Sequence, residues 1–289
     1  MVQHVRPRRS ALYLPASNPK ALAKSRTLAA DVVILDLEDA VAPDSKAVAR
    51  AAALAAVGEG GFGERELVIR TNALATPWGP DDLAAIARAG PDAVLVPKVS
   101  SPEDVRAYDA ALAAAPESTR LWIMIETCAC LPRLHEMAVC AADTRLSGFV
   151  LGTNDLAKEM HARLTPARTP FHPVLTMAVA AARAHGLIAL DGVCNEFRDL
   201  DAFRAEALQG LDFGFDGKTL IHPDQIDPCN AVFSPDAEEI AWAKAVAAAF
   251  ALPENLGKGA IRVEGRMVEL LHLDQAQRTL AIARTLGLG

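Results

Sequence analysis

Charged side chains in this sequence fall at the ends of aliphatic runs rather than inside them. Asp36, Glu38 and Asp39 follow Val-Val-Ile-Leu, Arg70 closes Leu-Val-Ile, Lys98 follows Pro97, and Glu126 closes Trp-Ile-Met-Ile. Asp155 follows Gly152-Thr153-Asn154, Asp191 ends a seventh run, and Asp216 and Lys218 follow an eighth. Converging carboxylates suit a hard divalent cation, and Mg²⁺ takes one or two carboxylates, several waters and its substrate's own oxygens. Glu126 and Asp155 are the candidate ligands, because each ends its run cleanly and Gly152-Thr153 lets the backbone approach a ligand closely. Arg70, emerging from an apolar run, needs an anionic partner that fits its fork. That partner is either a substrate carboxylate or a buried ion-pair neighbour, Asp36 or Glu38. A Schiff-base lysine wants an apolar pocket that lowers its pKa; Lys98 stands among acids and reads as balancing charge. Any one of these acids alone is as readily a helix cap. The set, with Arg70 and Lys98 among it, points to a site.

These residues meet only if the runs that carry them share one end. Strands are expected near 10–14, 31–36, 66–70, 92–97, 120–126, 146–152, 187–191 and 211–216. Ala-rich helical stretches alternate with them near 18–30, 46–57, 80–89, 102–114, 130–140, 169–185 and 197–209. Runs apolar on both faces, each followed by a helix, predict an α/β fold with a parallel sheet. Eight such units predict a (β/α)8 TIM barrel, an open doubly wound sheet being the second choice, and in a barrel the strand-end charges share the C-terminal rim where active sites are built. The tail reads differently, with a helix over 237–250, a short alternating piece at 260–263 and a last helix over 274–286. The expected division is a barrel catalytic domain over residues 1–233 and a C-terminal helical extension and lid over 234–289.

Composition narrows the class. The chain has 289 residues, 51% of them hydrophobic and 22% charged, which is enough for a large core and excludes wholesale disorder. A net charge of −7 argues against a nucleic-acid surface, which needs a basic face. No run approaches the ~18 apolar residues of a membrane span, and the short stretch ended by Pro15 is not a signal peptide. Five cysteines without an export signal read as reduced thiols, so the expected location is the cytoplasm. Cys128-Ala-Cys130 lacks the spacing and the second ligand pair of a zinc site. Gly-x-Ser-x-Gly, Walker and dinucleotide-binding glycine motifs are absent, and the glycine-rich 58–63 falls before a strand, on the wrong side for a phosphate cradle.

In combination, several blocks are specific. Residues 9–18 read Arg-Ser-Ala-Leu-Tyr-Leu-Pro-Ala-Ser-Asn, and 30–44 read Ala-Asp-Val-Val-Ile-Leu-Asp-Leu-Glu-Asp-Ala-Val-Ala-Pro-Asp. Arg70-Thr-Asn72, Pro97-Lys98, Glu126-Thr127, Gly152-Thr-Asn-Asp-Leu156 and Gly214-Phe-Asp-Gly-Lys-Thr-Leu-Ile-His-Pro-Asp-Gln225 complete them. With these blocks the chain resembles the HpcH/HpaI aldolase and citrate lyase β-subunit superfamily, in its CitE-like branch with malyl-CoA and citramalyl-CoA lyases. The resemblance covers nearly the whole chain. It implies a Mg²⁺-dependent carbon–carbon lyase acting on a short β-hydroxyacyl-coenzyme A thioester of malyl, citramalyl or citryl type. It also implies a homo-oligomer, a trimer or hexamer, with no nucleic-acid or membrane partner. Glu126 and Asp155 match the metal ligands, and Arg70 matches the arginine that binds the keto-acid carboxylate, beside Gly152, Thr153 and Asn154. Glu38 and Asp39 match acids that hold the metal's waters, with Asp36 next to them, and Arg9 and Lys24 fall where relatives contact coenzyme A phosphates. Two positions depart from the pattern. Cys130 stands where relatives usually have glycine and is expected to narrow the pocket, and Glu269, in Glu264-Gly-Arg-Met-Val-Glu269, replaces the lid aspartate that serves as acid and base. Two alternatives remain: a free keto-acid aldolase of the same superfamily, which has no use for a phosphate site, and a non-catalytic acyl-CoA-binding homologue, which binds without turnover.

Overall fold

The aliphatic runs become strands because their side chains are apolar on both faces and nearly all are buried. β2 (Val32–Asp36), β3 (Glu66–Arg70) and β4 (Ala93–Val96) are buried along their whole length. The computed structural model describes residues 6–288. In it β1 (Ser10–Pro15), β2, β3, β4, β5 (Arg120–Ile125), β6 (Leu146–Leu151), β7 (Ile188–Asp191) and β8 (Gly217–Leu220) form one closed barrel in chain order. All neighbours are parallel, and closure pairs Ser10 with Lys218, Ala11 with Thr219 and Leu12 with Leu220. At that seam a side chain on Gly217 would come within 1.9 Å of the Arg8 carbonyl, so only glycine lets β8 lie against the entry of β1.

The connections carry α1 (Pro19–Ser25), α2 (Lys46–Glu59), α3 (Gly79–Ala89), α4 (Pro102–Ala111), α5 (Leu134–Val139), α6 (Thr153–Glu159), α7 (His172–Ala184), α8 (Leu200–Phe213) and α9 (Ile226–Val232). Their starts are written locally: Asn18, Ser101 and Asp199 each accept backbone N–H groups at the first turns of α1, α4 and α8. Pro132 keeps the Cys128–Arg133 segment a 3-10 turn, so α5 begins later than the expected 130.

The eighth strand differs from its expected position at 211–216. Leu211 to Phe213 are the last turn of α8, and β8 begins at Gly217. Its own residues hid it, because Lys218 and Thr219 are fully buried polar groups in the place of an aliphatic run. Asp216 therefore lies at the N-terminal end of β8, not the rim, where it accepts from Ala189 N at 2.9 Å and pairs with Arg183 at 2.8 Å.

The chain divides into two compact units, Arg8–Ala231 and a second made mainly of Val232–Gly289. In the second, α10 (Ala237–Phe250), an antiparallel hairpin of β9 (Ala260–Val263) and β10 (Arg266–Glu269), and α11 (Leu270–Thr285) share a core that includes Val246, Phe250, Ile261 and Val268. Asp236 opens α10 with a reciprocal capping box to Glu239.

Candidate active site

Strand side chains alternate between the two faces, so each inward row can be followed to the mouth of the barrel. Val32 and Ile34, Val68, Trp122 and Met124, and Val150 belong to the interior core. Two residues past the last of each come Asp36, Arg70, Glu126 and Gly152, all lining a cavity of about 320 Å³. Tyr13, Met124, Leu151, Val193 and Ile221 form its apolar walls, and Thr153, Asn154, Asp155 and Thr219 add polar edges. The period that builds the core thus aims the charges.

Asp36 and Arg70 are directly paired in the β2–β3 register. The guanidinium grips the carboxylate bidentately, Nε to Oδ1 at 2.7 Å and Nη2 to Oδ2 at 2.6 Å. Its remaining nitrogen, Nη1, lies 2.9 Å from Glu38 and 3.4 Å from Asp39. Of the two partners considered for Arg70, the structure thus supplies the protein carboxylates, with Tyr13 beneath the guanidinium at 4.8 Å. Asp36 also accepts the N–H groups of Glu38 and Ala40, while Lys46 Nζ donates to the carbonyls of Leu37 and Glu38. The acidic turn is therefore fixed from both sides. Burial outweighs Arg70 at Glu38 and pushes its carboxyl up to about 8.

Across the mouth, Glu126 and Asp155 share one cation. Lys98 Nζ lies 2.7 Å from Asp155 Oδ1 and 3.3 Å from Glu126 Oε1, and Lys98 N donates to the same Glu126 oxygen at 2.8 Å. The backbone of Lys98 is left-handed, φ 57°, which turns that N–H toward the glutamate. Glu126 is fully buried, and burial pushes its carboxyl above the ordinary range. A side chain on Gly152 would meet Glu126 Cβ at 2.5 Å and Oε2 at 2.7 Å, so the glycine makes room for the carboxylate.

Asn154 lines the cavity, but Arg9, Lys24 and Cys130 do not. Arg9 precedes β1 at the opposite rim and is held by Asp31 through Nε and Nη2, both at 2.8 Å. Lys24 is exposed on α1, which leaves the C-terminal end of β1, and Lys20 precedes it by one turn on the same face. Asn154 exchanges amide hydrogen bonds with Asn195 at 3.1 and 2.9 Å. Cys130 is buried with Sγ turned to the Thr127 carbonyl at 3.0 Å; it is not among the residues lining the cavity, so the expected narrowing does not occur. Glu269 is exposed in the second unit, where it caps α11.

Asp191 and Lys218 do not join the mouth. They belong to the outward rows of β7 and β8 and face α8. There Asp191 binds Arg168 Nη1 at 2.7 Å and Lys218 Nζ at 2.9 Å, and Lys218 reaches Glu206 at 2.7 Å. Burial alone would raise the Asp191 carboxyl, but Lys218 and Arg168 hold it below the ordinary range. The same groups grip Gly192 through its N–H and its carbonyl. Arg168 was not expected at all: it lies in a loop at φ 51°, and no pattern marks it.

The residues fit a divalent cation. Glu126 Oε2 is buried without a hydrogen-bond partner, and the position of the Lys98 ammonium reaches both carboxylates. Among the described residues no three His, Cys, Asp or Glu side chains form a cage. Mg²⁺, which relies on few protein ligands, asks for none.

Residues 9–223 match the HpcH/HpaI aldolase/citrate lyase family. The chain is 46% identical over 287 residues to a (3S)-malyl-CoA thioesterase of Cereibacter sphaeroides, covering 99% of this chain and 98% of that one. It is 34% identical over 298 residues to an L-malyl-CoA/beta-methylmalyl-CoA lyase of the same organism, covering 94% and 93%. Among solved structures it is similar to CitE of Mycobacterium tuberculosis in complex with magnesium, acetoacetate and coenzyme A, with a TM-score of 0.76, 31% identity and 95% and 97% coverage.

Proposed function

Because this chain belongs to the HpcH/HpaI aldolase/citrate lyase family, we propose that it is a Mg²⁺-dependent carbon–carbon lyase acting on a short β-hydroxyacyl-coenzyme A of malyl type. The observation that carries the reading is the barrel mouth. Supporting it, Arg70, paired with Asp36, lines a cavity of about 320 Å³ together with Glu126 and Asp155, which are paired with an ammonium. Glu126 and Asp155 would hold Mg²⁺, which when bound polarises the substrate's hydroxyl and carboxylate oxygens as a Lewis acid.

The chain's own residues do the rest. Arg70 presents Nη1 to the substrate carboxylate, and Asp36 keeps the guanidinium from turning away. Glu38 and Asp39, beside Nη1, hold waters and yield to the entering carboxylate. Met124, Leu151, Val193 and Ile221 exclude water from the reacting carbons, while Gly152, Thr153 and Asn154 border the substrate. Cleavage removes the hydroxyl proton, breaks the bond between the acyl α-carbon and the carbinol carbon, and leaves a keto acid and a thioester enolate that takes up a proton. Glu269 is assigned the acid–base exchange, and Glu269→Gln tests it. Lys24, with Lys20 beside it, is the assigned contact for coenzyme A phosphates. Arg9, engaged with Asp31 at the other rim, is not assigned that role. We also assign residues 1–233 as the catalytic domain, 234–289 as extension and lid, a trimer or hexamer as the assembly, and the cytoplasm as the location. No helix is long and apolar enough to cross a membrane among the described residues.

The 46% identity to proteins named malyl-CoA thioesterases favours a second reading, hydrolysis of the same thioester. One incubation separates the two. With malyl-CoA and Mg²⁺, lyase action releases glyoxylate with no free thiol, and hydrolysis releases coenzyme A thiol with no glyoxylate. Neither product, at enzyme concentrations that bind acetyl-CoA, would overturn both readings.

A further inference from the structure

We propose that the Lys98 ammonium is a resident competitor for the metal position, holding Glu126 and Asp155 together until a divalent cation takes the same oxygens, and so setting how tightly that cation binds. The inference rests on the Mg²⁺ reading above.

Three observations carry it. The ammonium lies 2.7 Å from Asp155 Oδ1 and 3.3 Å from Glu126 Oε1, between the two carboxylates that would ligate the metal. Its placement is built by the backbone: Lys98 N donates to Glu126 Oε1 at 2.8 Å from a left-handed φ of 57°, and Tyr108 donates to the Pro97 carbonyl at 3.2 Å. The stem of Lys98 thus starts at the metal ligand itself. Third, the other cation of the mouth is engaged, since Arg70 binds Asp36, Glu38 and Asp39. Two adjacent carboxylates, one fully buried, need a positive charge between them. An ammonium and a divalent ion cannot share that place without strong repulsion. The flexible stem, at 37% exposure, lets the ammonium withdraw toward water as the metal enters.

The test is isothermal titration of Mg²⁺ into wild type, Lys98→Met, Lys98→Gln and Lys98→Arg, with melting curves in EDTA and in Mg²⁺. Met and Gln keep an unbranched stem, so the left-handed backbone costs the same in each. Loss of the competing charge should tighten Mg²⁺ about tenfold in Met and Gln, the scale of an ammonium–carboxylate attraction that is partly exposed and screened by water. It should also lower the melting temperature in EDTA and enlarge its rise on adding Mg²⁺. Arg should stay within about threefold of wild type, since it keeps the charge. Equal or weaker Mg²⁺ binding in both neutral variants, with wild type binding normally, overturns the inference and leaves the metal reading intact. Absence of Mg²⁺ binding in wild type and variants alike overturns the metal reading itself.

Discussion

Gly152→Ala is the sharpest probe of the mouth because the structure fixes its size. The added methyl would lie 2.5 Å from Glu126 Cβ, 2.7 Å from Glu126 Oε2 and 3.1 Å from Met124 Cε, whereas ordinary contact begins at 3.4 Å. The methionine end can swing aside, but Glu126 Cβ cannot, because Ile125 is paired with Leu151 and Gly152 N is bonded to the Ile125 carbonyl at 2.9 Å. The strand end that carries Glu126 must therefore shift by about 1 Å and take the carboxylate with it, and a displacement of that size costs on the order of 10²-fold in rate. That is about 2.7 kcal/mol of transition-state stabilisation. Overpacking should cost about 1–3 kcal/mol of stability, which leaves a folded protein. The assay is kcat/KM for malyl-CoA at saturating Mg²⁺, with far-ultraviolet circular dichroism and a melting curve on the same sample. The expected result is a hundredfold loss in a folded enzyme whose Mg²⁺ affinity is also reduced. A kcat/KM within threefold of wild type in the folded variant would show that the Glu126 position does not govern the chemistry.

Two further outcomes test the surroundings. Burial pushes Glu38 from 4.5 up to about 8, so between those pH values the folded chain keeps a proton that the unfolded chain has lost, and stability falls as pH rises through the window. Glu38→Gln should flatten that fall, read as urea midpoints at pH 5, 6.5 and 8; an unchanged slope would mean that Glu38 titrates normally. Asp191→Asn leaves Lys218 and Arg168 buried with only Glu206 to balance them, and should cost about 3–5 kcal/mol in urea unfolding. A loss below about 1 kcal/mol would show that the cluster does not hold the wall together.

The strands and most helices of the barrel were legible because their patterns are local. β2 and β5 are apolar runs that stop at Asp36 and just before Glu126, and each stop marks both a strand end and a residue that lines the cavity. The eighth strand was illegible because its burial depends on partners far away in sequence: Lys218 is apolar-like only once Asp191 and Glu206 surround it. The same blindness put Asp191 at the mouth, since its inward or outward row depends on the register of β7. Val193 carries no chemical signature, and Tyr13 stands inside an apolar run; both enter the cavity wall through geometry alone. Arg9 was misplaced for a simpler reason: it stands before its strand, so its rim is the other one. The near approach of Lys98 to Glu126 rests on one left-handed residue, which sequence marks only when that residue is glycine or asparagine.

The hydrogen bond from the backbone of residue 98 to Glu126 has a consequence for how such a site can change over generations. A main-chain donor is encoded by no particular codon: every residue except proline supplies it. The aim of Glu126 is therefore inherited with the fold, while the side chain at position 98 can vary among those that tolerate a left-handed φ of 57°. Mutation there can retune the charge facing Glu126 without disturbing its direction, so on the Mg²⁺ reading proposed above, metal affinity and carboxylate geometry can drift as separate traits.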